Sequence, residues 1–169
     1  MFDDWYMDEN NKKQFNGHTG YLNFWPLFLE GALEKPEQVQ KLKTTIKKLA
    51  DPATGLWTKY GIRSLSSNDP YYKKGENYWT SPIWMNINFL ITSALFRFSE
   101  DILLDADFRA EIKQTYSSLR LNLINMIADS YDSTGFIWEV YDGDSGAGMD
   151  NHPFTGWSAL YTNLMAEVY

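Results

Sequence analysis

One carboxylate stands between two large aromatic side chains in residues 135–142. Glu139 follows Trp138 directly and precedes Tyr141 by two positions, and the glycine-rich stretch 146–148 comes shortly after. Aromatic rings cover the apolar face of a pyranose, and a carboxylate beside them can take a proton from water. Cleavage of a glycosidic bond uses two carboxyl groups. Glu139 is therefore a candidate for one of the pair; the competing interpretation is an ordinary surface glutamate after a turn.

Composition limits the classes of function. The chain has 169 residues, which suits one domain. Its net charge of −7, from 15 basic and 22 acidic residues, argues against nucleic acid as a partner. Cysteine is absent, which excludes disulfides and thiolate metal sites. Aromatic residues make up 17% of the chain, with 7 Trp and 11 Tyr, and most lie in polar connecting segments, as in a carbohydrate-binding cleft.

Patterns for metals and cofactors are weak. The acidic stretch 142–146 resembles a calcium loop, but the third acidic ligand is missing and Pro153 stands where the final glutamate belongs. His18 and His152 are far apart, and neither has a second ligand at helical spacing. Residues 146–148 lack the preceding strand and the third glycine of a dinucleotide-binding loop. We therefore expect no metal and no cofactor.

Hydrophobic periodicity predicts helices joined by connections of unequal length. The clearest helix places Val39, Leu42, Ile46 and Leu49 on one face. Residues 1–20 are predicted to be an irregular lead-in, residues 51–81 to be mostly loop, and the surroundings of Trp138 to be a short extended piece. Helices are predicted over residues 21–33 (started or interrupted by a proline), 36–50, 83–98, 106–130 and 155–169. The sequence thus indicates a single all-α unit over residues 1–169.

Four blocks that occur in one order carry a family resemblance. They are Gly-Tyr-Leu-Asn-Phe-Trp-Pro-Leu from Gly20, Leu-Trp-Thr-Lys-Tyr-Gly-Ile-Arg-Ser-Leu-Ser from Leu56, Asn-Tyr-Trp-Thr-Ser-Pro-Ile-Trp-Met-Asn-Ile-Asn-Phe-Leu from Asn77, and Trp-Glu-Val-Tyr from Trp138 together with Phe-Thr-Gly-Trp from Phe154. Over residues 20–169 the chain resembles the C-terminal part of the catalytic domain of glycoside hydrolase family 63. Each block alone is weak, whereas all four in order are specific.

The resemblance implies about half of an (α/α)6 toroid with long aromatic-rich loops. It also implies an inverting α-glucosidase that removes terminal glucose from an oligosaccharide, of the N-glycan processing type, and the lumen of the endoplasmic reticulum if the source is eukaryotic. In that family the glutamate of the Trp-Glu-X-Tyr block is the general base, which is Glu139 here. The other candidates for substrate contact are Tyr60, Arg63, Tyr78, Trp79, Trp84, Trp138, Tyr141, Phe154 and Trp157.

Two departures from the family pattern affect these expectations. Thr80-Ser81 stands where the family usually has Arg-Gly, so a guanidinium that would contact substrate is missing. The family's general acid is an aspartate in a segment resembling Leu-Asp-Asp-Tyr-Pro-Arg, and no such segment occurs; Asp3-Asp4 is interpreted as a different, non-catalytic stretch. The expected partners are thus an oligosaccharide and the remaining N-terminal part of the same enzyme. A homodimer through exposed apolar helix faces is a further expectation.

Three alternative interpretations remain open. A non-catalytic, carbohydrate-binding half-toroid would use the same aromatic cleft without cleaving the sugar. A trehalase-like hydrolase of the same architecture would share the base block and a Gly-Trp pair near its C-terminus. A purely structural helical domain would need neither the carboxylate nor the aromatic residues.

Overall fold

The computed structural model describes residues 5–28 and 36–169, and this part of the chain is mainly helical. Its α-helices are α1 (Pro36–Ala50), α2 (Met85–Ser99), α3 (Ala106–Thr134) and α4 (Tyr161–Ala166). Shorter 3-10 helices cover Tyr21–Phe28, Pro52–Thr54 and Trp157–Leu160. The strands β1 (Trp5–Met7) and β2 (Lys13–Phe15) form one antiparallel pair, and β3 (Val140–Tyr141) and β4 (Gly148–Met149) form another.

Side-chain and backbone caps set the ends of the longest helix, α3. The Asp105 side chain accepts a hydrogen bond from the Phe108 N–H at 2.9 Å and so caps the N-terminus. At the other end Gly135 takes a left-handed φ of 76° and donates its N–H to the Tyr131 carbonyl at 2.7 Å. Because these residues match known start and stop signals, the helix can be located from the sequence.

The apolar faces of α2 and α3 pack against each other and form the centre of the core. Ile91 and Leu95 on α2 have no exposed surface, and the same holds for Ile112, Leu119 and Leu123 on α3. Further core residues come from both helices, from α1, from the 3-10 helix Tyr21–Phe28, from β3, from Leu164 of α4 and from the connections. The long loops pack on this pair of helices.

Short backbone pairings hold connections that are distant in sequence side by side. Ile83 is central, because its N–H donates to the Tyr141 carbonyl at 2.7 Å and the Tyr141 N–H donates back at 3.2 Å. Ile83 also forms an antiparallel bridge with Arg63, while β3 pairs with β4. The 51–81 connection, the start of α2 and the segment around Glu139 are therefore joined through backbone hydrogen bonds.

The helices predicted over 36–50, 83–98 and 106–130 are confirmed as α1, α2 and α3, with α2 beginning at Met85 and α3 continuing to Thr134. The prediction for residues 1–20 was wrong where the structure describes them, because β1 and β2 form a hairpin there. Asp8 closes its turn by accepting the N–H groups of Asn10 and Lys12, each at 2.9 Å. Strands of three residues are too short to show alternation in sequence.

The last predicted helix, over 155–169, was too long. A 3-10 turn precedes α4, and α4 ends at Ala166 because Glu167 takes a left-handed φ of 53°. The helix predicted over 21–33 is a 3-10 helix over Tyr21–Phe28 that contains Pro26, and residues 29–33 lie outside the described residues. The all-α prediction therefore holds only in the coarser sense of a helix-rich fold. Within residues 5–28 and 36–169, none of the helices combines the length and apolar character needed to cross a membrane.

A buried amide on α2 holds the loop around residue 62 against the helix. Asn88 has no exposed surface. Its Oδ1 accepts the Ile62 N–H at 2.8 Å, and its Nδ2 donates to the carbonyls of Ile62 and Trp84, each at 3.0 Å. One side chain thus supplies the partners that a neighbouring strand would supply in a sheet.

Replacing Asn88 by alanine should lower the free energy of unfolding by at least about 2 kcal/mol, because both backbone groups of Ile62 would be buried without a partner at about 1–3 kcal/mol each. Asn125→Ala, at an exposed position of α3, is the control and should change it by less than about 0.5 kcal/mol. Urea unfolding followed by circular dichroism measures both. If Asn88→Ala and the unchanged chain had equal unfolding midpoints, the Asn88 amide would not be what holds the loop.

Candidate active site

The backbone of Glu139 is fixed by contacts from the chain that follows it. Its N–H donates to the Asn151 carbonyl at 2.9 Å, and its carbonyl accepts the Trp157 indole N–H at 2.7 Å. The Ser158 hydroxyl donates to the preceding carbonyl, that of Trp138, at 2.6 Å. Residues 151–158 therefore fold back over the Glu139 peptide and leave its side chain little freedom.

The Glu139 carboxylate is buried, with 5% of its surface exposed, and both of its oxygens are hydrogen-bonded. The Tyr78 hydroxyl donates to Oε1 at 2.6 Å, and the Asn151 side-chain amide donates to Oε2. The hydrogen bond from Tyr78 is the largest cause that lowers the pKa of Glu139, and Asn151 adds to it against the opposing effect of burial. Desolvation and the neighbouring Glu139 charge raise the pKa of Tyr78 to about 12. At neutral pH Glu139 is thus an ionised acceptor and Tyr78 a neutral donor.

A further carboxylate lies close enough to interact with Glu139. Desolvation and the charges of Glu139 and Glu76 together raise the pKa of Asp150. Asp150 is exposed and takes a left-handed φ of 65° immediately before Asn151. The surface next to Glu139 therefore carries negative charge, which favours a neutral ligand over an anionic one.

Four of the predicted aromatic residues form a continuous cluster with Glu139. Trp79 stacks on Trp84 with ring centroids 4.8 Å apart and planes 9° apart. Tyr78 stands edge-on to both indoles, at 4.9 and 4.6 Å, and Trp157 lies 5.5 Å from Trp84. Because Trp79 is 57% exposed while Trp84 is 4% exposed, the cluster presents Trp79 to solvent on a buried aromatic support.

Phe154 extends this cluster through Trp157, with ring centroids 4.9 Å apart. Both rings are half-buried. They lie on the segment that covers the Glu139 peptide, and the Trp157 indole bonds to its carbonyl. The structure thus brings together Glu139 and the predicted residues of the blocks beginning at 77 and 154.

Trp138 and Tyr141 flank Glu139 in sequence, and their side chains pack within the surrounding turn. The Trp138 ring covers Gly148 so closely that a Cβ there would approach the ring within 2.1 Å, and it lies 3.8 Å from the His152 ring. Tyr141 has no exposed surface, and its hydroxyl accepts the Trp138 N–H at 3.2 Å. Tyr141 therefore supports the turn and has no surface with which to contact a sugar.

Tyr60 and Arg63 lie against the loop 142–148. A Cβ on Gly146 would come within 2.5 Å of the Tyr60 ring, so the glycine allows this ring to pack on the backbone. Arg63 donates to Asp144 Oδ1 at 2.6 Å and to the Gly55 carbonyl at 2.9 Å. The packing of Tyr60 on Gly146 and the contact of Arg63 with Asp144 support the loop that follows Glu139.

Sequence reasoning missed the polar partners of Glu139. Asn151 and Ser158 lie 12 and 19 residues beyond it, at no periodic spacing. The only signal near them is the turn-forming stretch 150–153, which indicates a loop but not its direction. Among the described residues no group of three or more histidine or acidic side chains is arranged to hold a metal ion.

Comparison with known proteins gives a match along almost the whole chain. The sequence model of the glycosyl hydrolase family 63 C-terminal domain matches residues 5–167. The chain is 40% identical over 152 residues to the probable mannosyl-oligosaccharide glucosidase of Schizosaccharomyces pombe, covering 90% of this chain and 18% of that protein. It is 35% identical over 161 residues to the mannosyl-oligosaccharide glucosidase of Saccharomyces cerevisiae, covering 95% and 19%. The chain thus spans about one fifth of the length of these curated relatives.

The fold is similar to that of a solved enzyme. The crystal structure of the family 63 mannosylglycerate hydrolase from Thermus thermophilus in complex with glucose superposes with a TM-score of 0.55 at 20% identity. The match covers 90% of this chain and 30% of that one. At this identity the similarity concerns the fold.

Replacing Tyr78 by phenylalanine should raise the pKa of Glu139, because the largest cause of its lowering is removed. The folded-state pKa of Glu139 lies below the unfolded value, so its ionisation stabilises the fold above the unfolded pKa, and this stability is lost as pH falls through the folded pKa. Tyr78→Phe should therefore destabilise the chain more at neutral than at acidic pH. A ¹³C NMR titration of the carboxyl and unfolding at both pH values measure the two effects.

The matched control is Tyr71→Phe, which removes a hydroxyl from an exposed ring and should leave the Glu139 titration unchanged. An unchanged midpoint in Tyr78→Phe would show that the Tyr78 hydrogen bond does not set the protonation of Glu139.

Proposed function

We propose that this chain, which belongs to glycosyl hydrolase family 63, supplies the general base of an inverting α-glucosidase that removes terminal glucose from an oligosaccharide. Glu139 deprotonates the water that attacks the anomeric carbon. The observation that carries the proposal is the buried, hydrogen-bonded and ionised Glu139 beside an aromatic cluster whose outer ring is exposed. The names of the two yeast relatives, both mannosyl-oligosaccharide glucosidases, support a mannosyl-oligosaccharide as substrate.

The aromatic cluster and the local charge suit a neutral sugar. An exposed indole face binds the apolar C–H face of a pyranose, and Trp79 is the exposed ring of the cluster. The carboxylates of Glu139 and Asp150 repel one another and would repel an anionic sugar equally. Glucose is neutral, so its hydroxyls can donate to these acceptors without such repulsion.

The second carboxyl group comes from outside these 169 residues in this proposal. An inverting site places its two carboxyls about 6.5–9.5 Å apart so that water fits between the base and the sugar. We propose that the chain forms part of an (α/α)6 toroid and that the rest of the same enzyme, which supplies the acid, completes it. Ile102 and Leu103, 85% and 75% exposed, are apolar surface that such a neighbour would cover.

In the active enzyme that contains this segment, Glu139→Gln should lower kcat by about 10²–10⁴-fold with little change in KM, because glutamine keeps the shape but accepts no proton. Glu111→Gln on the exposed surface of α3 is the control and should leave both constants unchanged. Steady-state release of glucose from an α-glucoside measures them. Near-normal turnover in Glu139→Gln would refute the assignment of the general base.

The isolated chain should bind a glucose-like iminosugar but hydrolyse no α-glucoside, because the inverting mechanism also needs a general acid. Calorimetric titration and a glucose-release assay measure the two properties. Trp79→Ala should weaken binding, whereas Trp5→Ala, which also removes an exposed ring, should not. Hydrolysis by the isolated chain would contradict the proposal.

The second candidate is a carbohydrate-binding module, which would use the exposed face of Trp79 without the carboxylate. Binding without turnover in the longer enzyme as well would support the module and exclude the glucosidase.

A further inference from the structure

A pair of ionic contacts joins the loop that carries Tyr78 to the loop that follows Glu139. Lys73 Nζ lies 2.8 Å from Asp142 Oδ2 and 2.7 Å from Asp144 Oδ2. The two aspartates come three and five residues after Glu139, and Lys73 comes five residues before Tyr78. One ammonium group therefore bridges the two segments whose side chains meet at the carboxylate.

The backbone of Lys73 folds its loop back toward Tyr78. Lys73 takes a left-handed φ of 53°, and its N–H donates to the Thr80 carbonyl at 3.3 Å. This conformation is unfavourable for a lysine and persists where contacts with the surroundings stabilise it. The ion pairs between Lys73 and the two aspartates are contacts of this kind.

The aspartates themselves are firmly held. Asp142 Oδ1 accepts the N–H groups of Asp144 and Ser145 at 3.0 and 2.8 Å, which leaves Oδ2 for Lys73. Asp144 Oδ1 accepts the Tyr72 hydroxyl at 2.9 Å and an Arg63 N–H at 2.6 Å. The loop 142–148 is thus a fixed anchor, and Lys73 is the group that reaches it.

All three charged groups stay ionised throughout the neutral range. The hydrogen bond from Lys73 is the largest cause that lowers the pKa of Asp144 to about 2. Desolvation opposes the ionisation of Lys73, but its bonds to both aspartates raise the pKa of its ammonium group. The Lys73 and Asp142 side chains are 34% and 16% exposed, so the contact is partly shielded from water and salt.

We propose that Lys73 is a positioning residue that clamps the 71–80 loop onto the loop 142–148 and so places the Tyr78 hydroxyl on Glu139. Without the ammonium the two aspartates repel each other, and Tyr78 is no longer held at hydrogen-bond distance. The catalytic importance of the clamp rests on the proposed function of Glu139; the clamp itself does not.

The test follows the Glu139 carboxyl by ¹³C NMR in the 169-residue chain, with the signal assigned from Glu139→Gln. Lys73→Met removes the charge at nearly constant length and should shift the Glu139 midpoint upward, because the Tyr78 hydrogen bond is weakened. Lys73→Arg keeps the charge and should restore the original midpoint. Lys74→Met removes the neighbouring exposed lysine and should have no effect. Each Lys73 variant keeps a non-glycine side chain at the left-handed position, so backbone strain is matched.

Asp144→Asn distinguishes positioning from direct electrostatics. Among the described residues, the Tyr78 hydroxyl and the Asn151 amide bond to Glu139, and the Asp150 carboxylate lies close enough to interact with its charge. Glu76 acts on Asp150 and on Tyr78. Removing a negative charge would by itself lower the Glu139 midpoint, whereas loosening the clamp raises it. An upward shift in both Lys73→Met and Asp144→Asn supports the clamp; shifts of opposite sign overturn it.

A double variant shows whether Lys73 affects Glu139 through Tyr78. If Lys73 acts through Tyr78, Lys73→Met should add no further shift in a Tyr78→Phe background. Lower thermal stability with an unmoved Glu139 midpoint would mean a structural role alone and would overturn the proposal. Because the readout is a protonation midpoint and not turnover, the clamp can be confirmed even if Glu139 proves not to be the general base.

Discussion

The structure depends on supplying hydrogen-bond donors to a buried, ionised carboxylate. Transfer of a charge into a protein interior costs several kcal/mol unless hydrogen-bond donors replace the lost water. Burial alone would raise the pKa of Glu139, yet the donors Tyr78 and Asn151 lower it. These donors come from segments 61 residues before and 12 residues after the carboxylate in sequence. The need to deliver both to one carboxyl group constrains the path of two long loops.

The loops meet this constraint without a regular sheet. Backbone pairs through Ile83, the buried amide of Asn88 and the Lys73 contacts each join two segments that are distant in sequence. The α2–α3 pair beneath them supplies a rigid support through its apolar faces. Functional side chains can therefore lie on loops and still be held in place, since each loop is fixed at several points along its length.

The sequence predicts those parts of the structure that local signals determine. The apolar periodicity of α1 depends on neighbours within a few residues, so this helix could be predicted closely. The start of α3 was also predicted, but its end was placed at residue 130, before the Gly135 cap. Glu139 and its aromatic neighbours were chosen as candidates from residue type and from the family resemblance. The partners of Glu139 could not be predicted, because the contacts of Tyr78 and Asn151 arise from tertiary folding of loops with no periodicity. Tyr141 shows the same limit: its residue type suggests a sugar contact, and its complete burial follows from the pairing of β3 with Ile83.

Under the proposed function, the environment of Glu139 suits it to one half of the chemistry. An inverting hydrolase needs one carboxyl that is protonated and one that is ionised at the same pH, so the two must lie in environments that move their pKa values apart. Hydrogen-bond donation from a tyrosine whose own pKa is about 12 stabilises the ionised form of Glu139 more than the protonated form. Such a group is a poor proton donor at neutral pH and a well-placed acceptor. A lowered pKa makes it a weaker base, but the water attacks a centre that already carries developing positive charge, so position and ionisation matter more than basicity. The donors around Glu139 thus suit it to the role of general base. The general acid requires a buried site without such donors, where burial raises the pKa of the carboxyl group.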